Sequence, residues 1–107
     1  MRLLLDENLP KRLKPDFPEH EIFTVCDMRW EGIKNGPLLQ LLIENSFNAL
    51  LTYDKNLQYQ QNFLKYTITV FVFTARINQY IELTKLTPKI KEYLNSGQLP
   101  IGPVIIS

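Results

Sequence analysis

Seven consecutive residues, Thr67-Ile68-Thr69-Val70-Phe71-Val72-Phe73, are all apolar or β-branched. The run is too short to span a membrane, and it lacks the in–out alternation of a strand with one wet face. It fits a strand covered on both faces, as in a mainly parallel sheet with helices above and below. Met1–Asp6, Glu21–Val25, Phe47–Thr52 and Val104–Ile106 read as the other strands. Between them lie helical stretches: Leu9–Lys14 capped by Asn8, a leucine-rich helix opening at Asn35 and ending at Asn45, and a short helix over Asn56–Phe63. Two more follow, one capped by Asn78 and running toward Lys85, the other from Thr87-Pro88 to Asn95-Ser96-Gly97. Alternation of this kind predicts right-handed βαβ units. The expected fold is α/β, a three-layer α/β/α sandwich with a mainly parallel sheet of four to five strands. Strand order 3-2-1-4-5 or 2-1-3-4-5 satisfies the pattern, and only the second makes the first and third strands neighbours.

The chain has 107 residues, a size suited to one domain over 1–107. With no long apolar segment and no signal-peptide pattern at its start, a cytoplasmic location without membrane contact is expected. A single cysteine, Cys26, excludes an internal disulfide and reads as a small packed side chain. A single histidine, His20, leaves no basis for a Ser-His-Asp triad. The net charge of +1 does not mark a nucleic-acid binder, although basic residues could gather locally.

Two strands end in an acid. Met1-Arg2-Leu3-Leu4-Leu5 runs into Asp6-Glu7-Asn8, and Ala49-Leu50-Leu51-Thr52 runs into Tyr53-Asp54. In an open parallel sheet both acids emerge at the carboxyl edge, where such sheets place their chemistry. Two carboxylates brought together repel unless a cation or proton lies between them. Oxygen-only ligands of this kind suit Mg²⁺ or Mn²⁺. The competing role for each aspartate is to cap the following helix. Glu7 and Asp27 are candidates to support the two acids from behind, or solvated loop residues. Thr52 is placed to bond a carboxylate or a phosphate, or to be an ordinary strand residue. Asn35 and Asn56 fit helix capping, or neutral oxygen ligation. Lys11, Lys34, Lys55 and Arg76, with Arg12 and Lys14, fall near the same edge and could grip a phosphate backbone. The run Gln58-Tyr59-Gln60-Gln61-Asn62 offers base stacking or an exposed helix face. Trp30, beside Met28 and Arg29, fits either a core plug or an anchor for a partner, including a homo-oligomer.

The phrases Leu-Leu-Leu-Asp-Glu-Asn-Leu-Pro, Lys-Asn-Gly-Pro-Leu-Leu and Leu-Thr-Tyr-Asp-Lys-Asn-Leu-Gln-Tyr-Gln-Gln-Asn resemble stand-alone PIN-like proteins of the PIN ribonuclease superfamily. Many members of that superfamily are toxins of toxin–antitoxin pairs. The resemblance implies a PIN-like sandwich whose acidic site uses Mg²⁺ or Mn²⁺ to cleave single-stranded RNA, with an antitoxin protein as partner. Asp6 matches the first-strand acid and Asp54 the acid after the threonine. Related sequences often carry acids where this chain has Asn35 and Asn56, so the ion would be weakly held, unless Glu7 or Asp27 compensates. One alternative is a PIN-like RNA- or protein-binding module with weak or no catalysis. A remoter one is a receiver-like phosphoacceptor domain, for which Asp6-Glu7, Asp54 and Thr74-Ala75 are in place but a lysine after the last strand is not.

Overall fold

The computed structural model describes residues 1–56 and 61–107. Five strands form one sheet: β1 (Arg2–Leu5), β2 (Glu21–Thr24), β3 (Ala49–Thr52), β4 (Thr69–Phe73) and β5 (Gly102–Ile106). Their order is β2-β1-β3-β4-β5 and every pair is parallel. The second of the two expected orders is therefore the observed one, and β1 and β3 are neighbours, with Leu4 opposite Leu50.

Side chains alternate along a strand, so the inner strands β1, β3 and β4 feed two cores. Leu3, Leu5, Leu51, Phe71, Phe73, Val104 and Ile106 face one core. They pack under Leu13 of a 3-10 helix (Lys11–Asp16), under Leu83 of α2 (Tyr80–Leu83), and under Ile90 and Leu94 of α3 (Thr87–Ser96). Leu4, Leu50, Val70 and Val72 face the other, beneath Leu38, Leu39 and Leu42 of α1 (Asn35–Glu44). Strands β3 and β4 are buried at every position, as helix cover on both faces requires. The outer strand β5 instead alternates between buried and exposed, and its Pro103 is tolerated at the sheet's edge. Each buried leucine stabilises the fold by roughly 1.5–3 kcal/mol. Among the described residues no helix is long and apolar enough to cross a membrane.

Several local expectations change. Asn8 caps no helix: the 3-10 helix starts after Pro10, without a side-chain cap. Asn78 likewise precedes Gln79, which occupies the cap position of α2. Lys34 is the cap residue of α1, and Asn35 is its first helical residue. In all three places the asparagine amide is drawn into tertiary hydrogen bonds, which outweigh local capping. Cys26 is exposed rather than packed, because it sits in a turn beyond the end of β2. The helix expected over Asn56–Phe63 includes residues 57–60 and the run Gln58–Asn62 includes 58–60, which lie outside the described residues. Gly97 ends α3 with φ 73°, a left-handed conformation that glycine adopts without strain.

Candidate functional site

The chain passes from β1 outward to β2, then returns across β1 to place β3 on its other side. Strand order therefore reverses between β1 and β3. Loops leaving the two strands diverge there, opening a crevice at the carboxyl edge. Asp6 follows β1 and Asp54 follows β3, so the two sequence-predicted acids flank that crevice.

The register continues past the strand ends. The Asp6 N–H donates to the Leu51 carbonyl at 2.9 Å, which sets Asp6 beside Thr52. Thr52 is fully buried, and its hydroxyl donates to Asp6 Oδ2 at 2.7 Å. Thr52 Oγ1 also accepts from the Asp54 N–H at 3.0 Å and from Asn8 Nδ2 at 3.4 Å. A hydroxyl has one proton and two lone pairs, and all three are used. Thr52 thus joins the two acidic loops and has no proton left to donate to a phosphate. Of its two expected roles, it takes the bond to a carboxylate.

Each acid is held by neutral donors. Asp6 Oδ1 accepts from the Glu7 N–H at 2.8 Å. Asp54 Oδ1 accepts from the Asn56 N–H at 3.0 Å, and its Oδ2 from Asn35 Nδ2 at 3.1 Å. Among the described residues, neither carboxylate is in an ion pair. Burial pushes the Asp6 carboxyl above its ordinary value of 3.8; the Thr52 and Glu7 hydrogen bonds oppose this, and the charges of Asp54 and Glu7 add to the rise. Among the described residues, then, the hydrogen bonds that hold the two acids all come from neutral groups. A carboxylate offers about four lone-pair positions, and the bonds above use two on each. Hard oxygen acceptors thus stay open on both acids, and the donor set fits a hard divalent cation. No three His, Cys, Asp or Glu side chains among the described residues gather as a ready-made metal cage.

Asn56 contributes its backbone N–H to Asp54. Glu7 is exposed and accepts from the Gly32 N–H at 2.8 Å, drawing the loop after β2 over the end of β1. Asp27 is not brought to the pair. It accepts from Lys14 Nζ at 2.7 Å and from the Thr24 N–H at 2.8 Å, and these bonds hold its carboxyl down to about 2. Lys11 lines a cavity together with Asp6. Lys34 immediately precedes Asn35 and is exposed. Lys55, also exposed, holds its ammonium 5.4 Å from the Tyr53 ring centroid. Arg76 is exposed in the loop after β4, next to Ala75, whose carbonyl accepts the Tyr53 hydroxyl. Arg12 lies 4.5 Å over the Tyr80 ring instead. Trp30 packs at 5.9 Å on Phe47, as a core plug does.

Asn8 is the residue whose part at the site the sequence did not disclose. Besides bonding Thr52, its Oδ1 accepts the Tyr53 N–H at 3.2 Å, and its carbonyl accepts Asn78 Nδ2 at 2.6 Å. It ties the loops after β1, β3 and β4 together. Its place in Asp-Glu-Asn was the available signal, but helix capping explained it equally well. Thr74 Oγ1 donates to the Ile106 carbonyl at 2.9 Å, so its hydroxyl is committed away from Asp54. No protein-family model, curated protein or solved structure matches this chain.

Proposed function

We propose that this chain is a PIN-like, metal-dependent endoribonuclease acting on single-stranded RNA, and the cytoplasmic toxin of a toxin–antitoxin pair. The observation that carries the reading is that Asp6 and Asp54 follow adjacent strands at the reversal, near enough for the Asp54 charge to act on Asp6, with only neutral hydrogen-bond partners among the described residues. Asp6 and Asp54 would hold Mg²⁺ or Mn²⁺, which supplies charge stabilisation at a phosphate and an acidified water. Thr52 keeps the two carboxylates in register, and Asn35 orients Asp54. Lys11, Lys34, Lys55 and Arg76 surround the edge and are suited to holding an RNA backbone. Helix cover on both faces of the sheet is what a PIN-like three-layer sandwich requires. An antitoxin protein would act by covering the same edge.

The test is cleavage of end-labelled single-stranded RNA by purified protein with Mn²⁺. Cleavage should disappear with EDTA and in Asp54→Ala, and persist in Lys91→Ala, which lines a cavity with His20 beside the Met1 amino group at the other end of β1. Wild-type protein that leaves RNA intact under these conditions refutes the enzyme. One observation favours a second reading, a PIN-like binding module. Asn35 donates a hydrogen bond to Asp54 where a carboxylate would have bound an ion, and that bond stabilises the anion without metal. RNA retention without cleavage, insensitive to EDTA, would identify this case.

A further inference from the structure

On the β2 side of Asp6 lies a cavity of about 200 Å³ whose lining does not include Asp54. Pockets for drug-sized ligands run from roughly 300 Å³ upward. This one therefore suits a single ring system rather than a dinucleotide. Leu9 and Val25, both almost wholly buried, give it an apolar floor. Glu7, Glu31 and Asp6 line it as acids, and Lys11 lines it as the only base. Glu7 is anchored by the Gly32 N–H, which secures the loop carrying Glu31 beside the end of β1. Gly32 has φ 78°, a conformation that keeps a side chain off this position.

We propose that this cavity is a nucleobase subsite that prefers guanine; the assignment rests on the ribonuclease reading and names the base next to the phosphate held at Asp6. The charge pattern selects the ligand. Three carboxylates against one ammonium disfavour a phosphate inside the cavity and favour a ring edge rich in hydrogen-bond donors. Guanine presents N1–H and N2–H₂ side by side, which a carboxylate accepts as two parallel bonds. Uracil flanks its single N–H with two carbonyl oxygens, which the acids repel. The apolar floor receives the flat face of the base. Lys11 is then left to meet the phosphate, since a nucleotide carries both a donor edge and an anion. A guanidinium from a protein would match the acids and be repelled by Lys11.

Cys26 also lines the cavity, is exposed, and is the chain's only cysteine, so its alkylation reports occupancy directly. Iodoacetamide labelling of wild-type protein in EDTA is followed while GMP, AMP, CMP or UMP is titrated. GMP should protect with an affinity about ten-fold or more above that of UMP, the scale of one bidentate base contact. Glu31→Gln should bring GMP down to the level of UMP. Lys11→Ala should weaken all four nucleotides and leave guanosine unchanged. Circular dichroism confirms that each variant is folded. Equal protection by all four nucleotides, no protection, or stronger protection by free arginine overturns the proposal. The assay uses neither metal nor cleavage. GMP protection without RNA cleavage would sink the enzyme and leave the subsite, and cleavage without protection would do the reverse.

Discussion

Two acidic corners on the same sheet edge have opposite electrostatics. At the end of β2, Asp27 meets Lys14 at 2.7 Å in the open and is held near 2. At the β1/β3 reversal, Asp6 accepts only from neutral donors among the described residues and is pushed above its ordinary value, by burial first and in part by the charge of Asp54. Both are aspartates just beyond a strand, and both accept from a neighbouring backbone N–H. The difference lies in what the next element delivers. The 3-10 helix brings a lysine to Asp27, whereas β3 brings a second acid to Asp6. A strand-end aspartate is thus a structural cap when a cation reaches it and a candidate ion site when another carboxylate does.

The comparison breaks most readily through the acids themselves. Losing an outer-sphere partner of a metal ligand already costs about 10–100-fold, so Asp6→Ala or Asp54→Ala should lower Mn²⁺-dependent RNA cleavage by at least that factor. Asp27→Ala should leave it within about two-fold, because Asp27 takes no part in the pair. If all three variants lose activity together, the two corners are not distinct.

Stability probes the link between the acids. Thr52→Val leaves the Asp54 N–H and an Asp6 oxygen without their partner. A loss of about 1–3 kcal/mol in urea unfolding is expected. Thr52→Ser keeps the hydroxyl and should cost about 1 kcal/mol for the missing methyl. Asn8→Ala should cost about 1 kcal/mol alone and less in the Thr52→Val background, since both residues act on one hydroxyl. Strict additivity would mean that Asn8 does not act through Thr52.

The corners should also titrate in opposite senses. The folded pKa of Asp6 lies above 3.8. Its protonated form favours the fold, and that contribution, full below 3.8, is lost as pH rises through the folded value. Asp27 is the reverse: its contribution is present above 3.8 and lost as pH falls toward 2. Urea midpoints measured against pH should therefore show Asp6→Asn gaining on wild type with rising pH, and Asp27→Asn falling behind. Mn²⁺ should abolish the first trend and leave the second. Parallel trends for the two variants would contradict the contrast. The smallest effect belongs to Lys14→Ala. An exposed pair of this kind contributes about 0–1 kcal/mol, and carbon-13 titration should show the Asp27 carboxyl moving back up toward 3.8.

Much of the fold was legible. The apolar and β-branched run that becomes β4 announced a strand covered on both sides, and it is buried throughout. Pro88 near the start and Gly97 at the end of α3 punctuated that helix correctly. At the site, Asp6, Asp54, Thr52 and Asn35 were legible as candidates, but not the bonds that join them. Asn8, Asn35 and Asn78 all read as helix caps, because capping is the local use of asparagine. Their amides bond across 70 residues in one case and 19 in another. No local pattern encodes partners at that range. Cys26 was misjudged for the converse reason: cysteine's general tendency to be buried says nothing of a turn that faces outward.

Composition and periodicity by themselves determined which residues are strand, which faces are apolar, and that two strands finish in an acid, because these properties repeat along the chain at the spacing of the backbone. Long-range packing set β3 next to β1, brought Lys14 to Asp27, and turned the Thr52 proton toward Asp6. Those outcomes depend on which apolar surfaces pack best together, and a strand's pattern names its buried face without naming its neighbour.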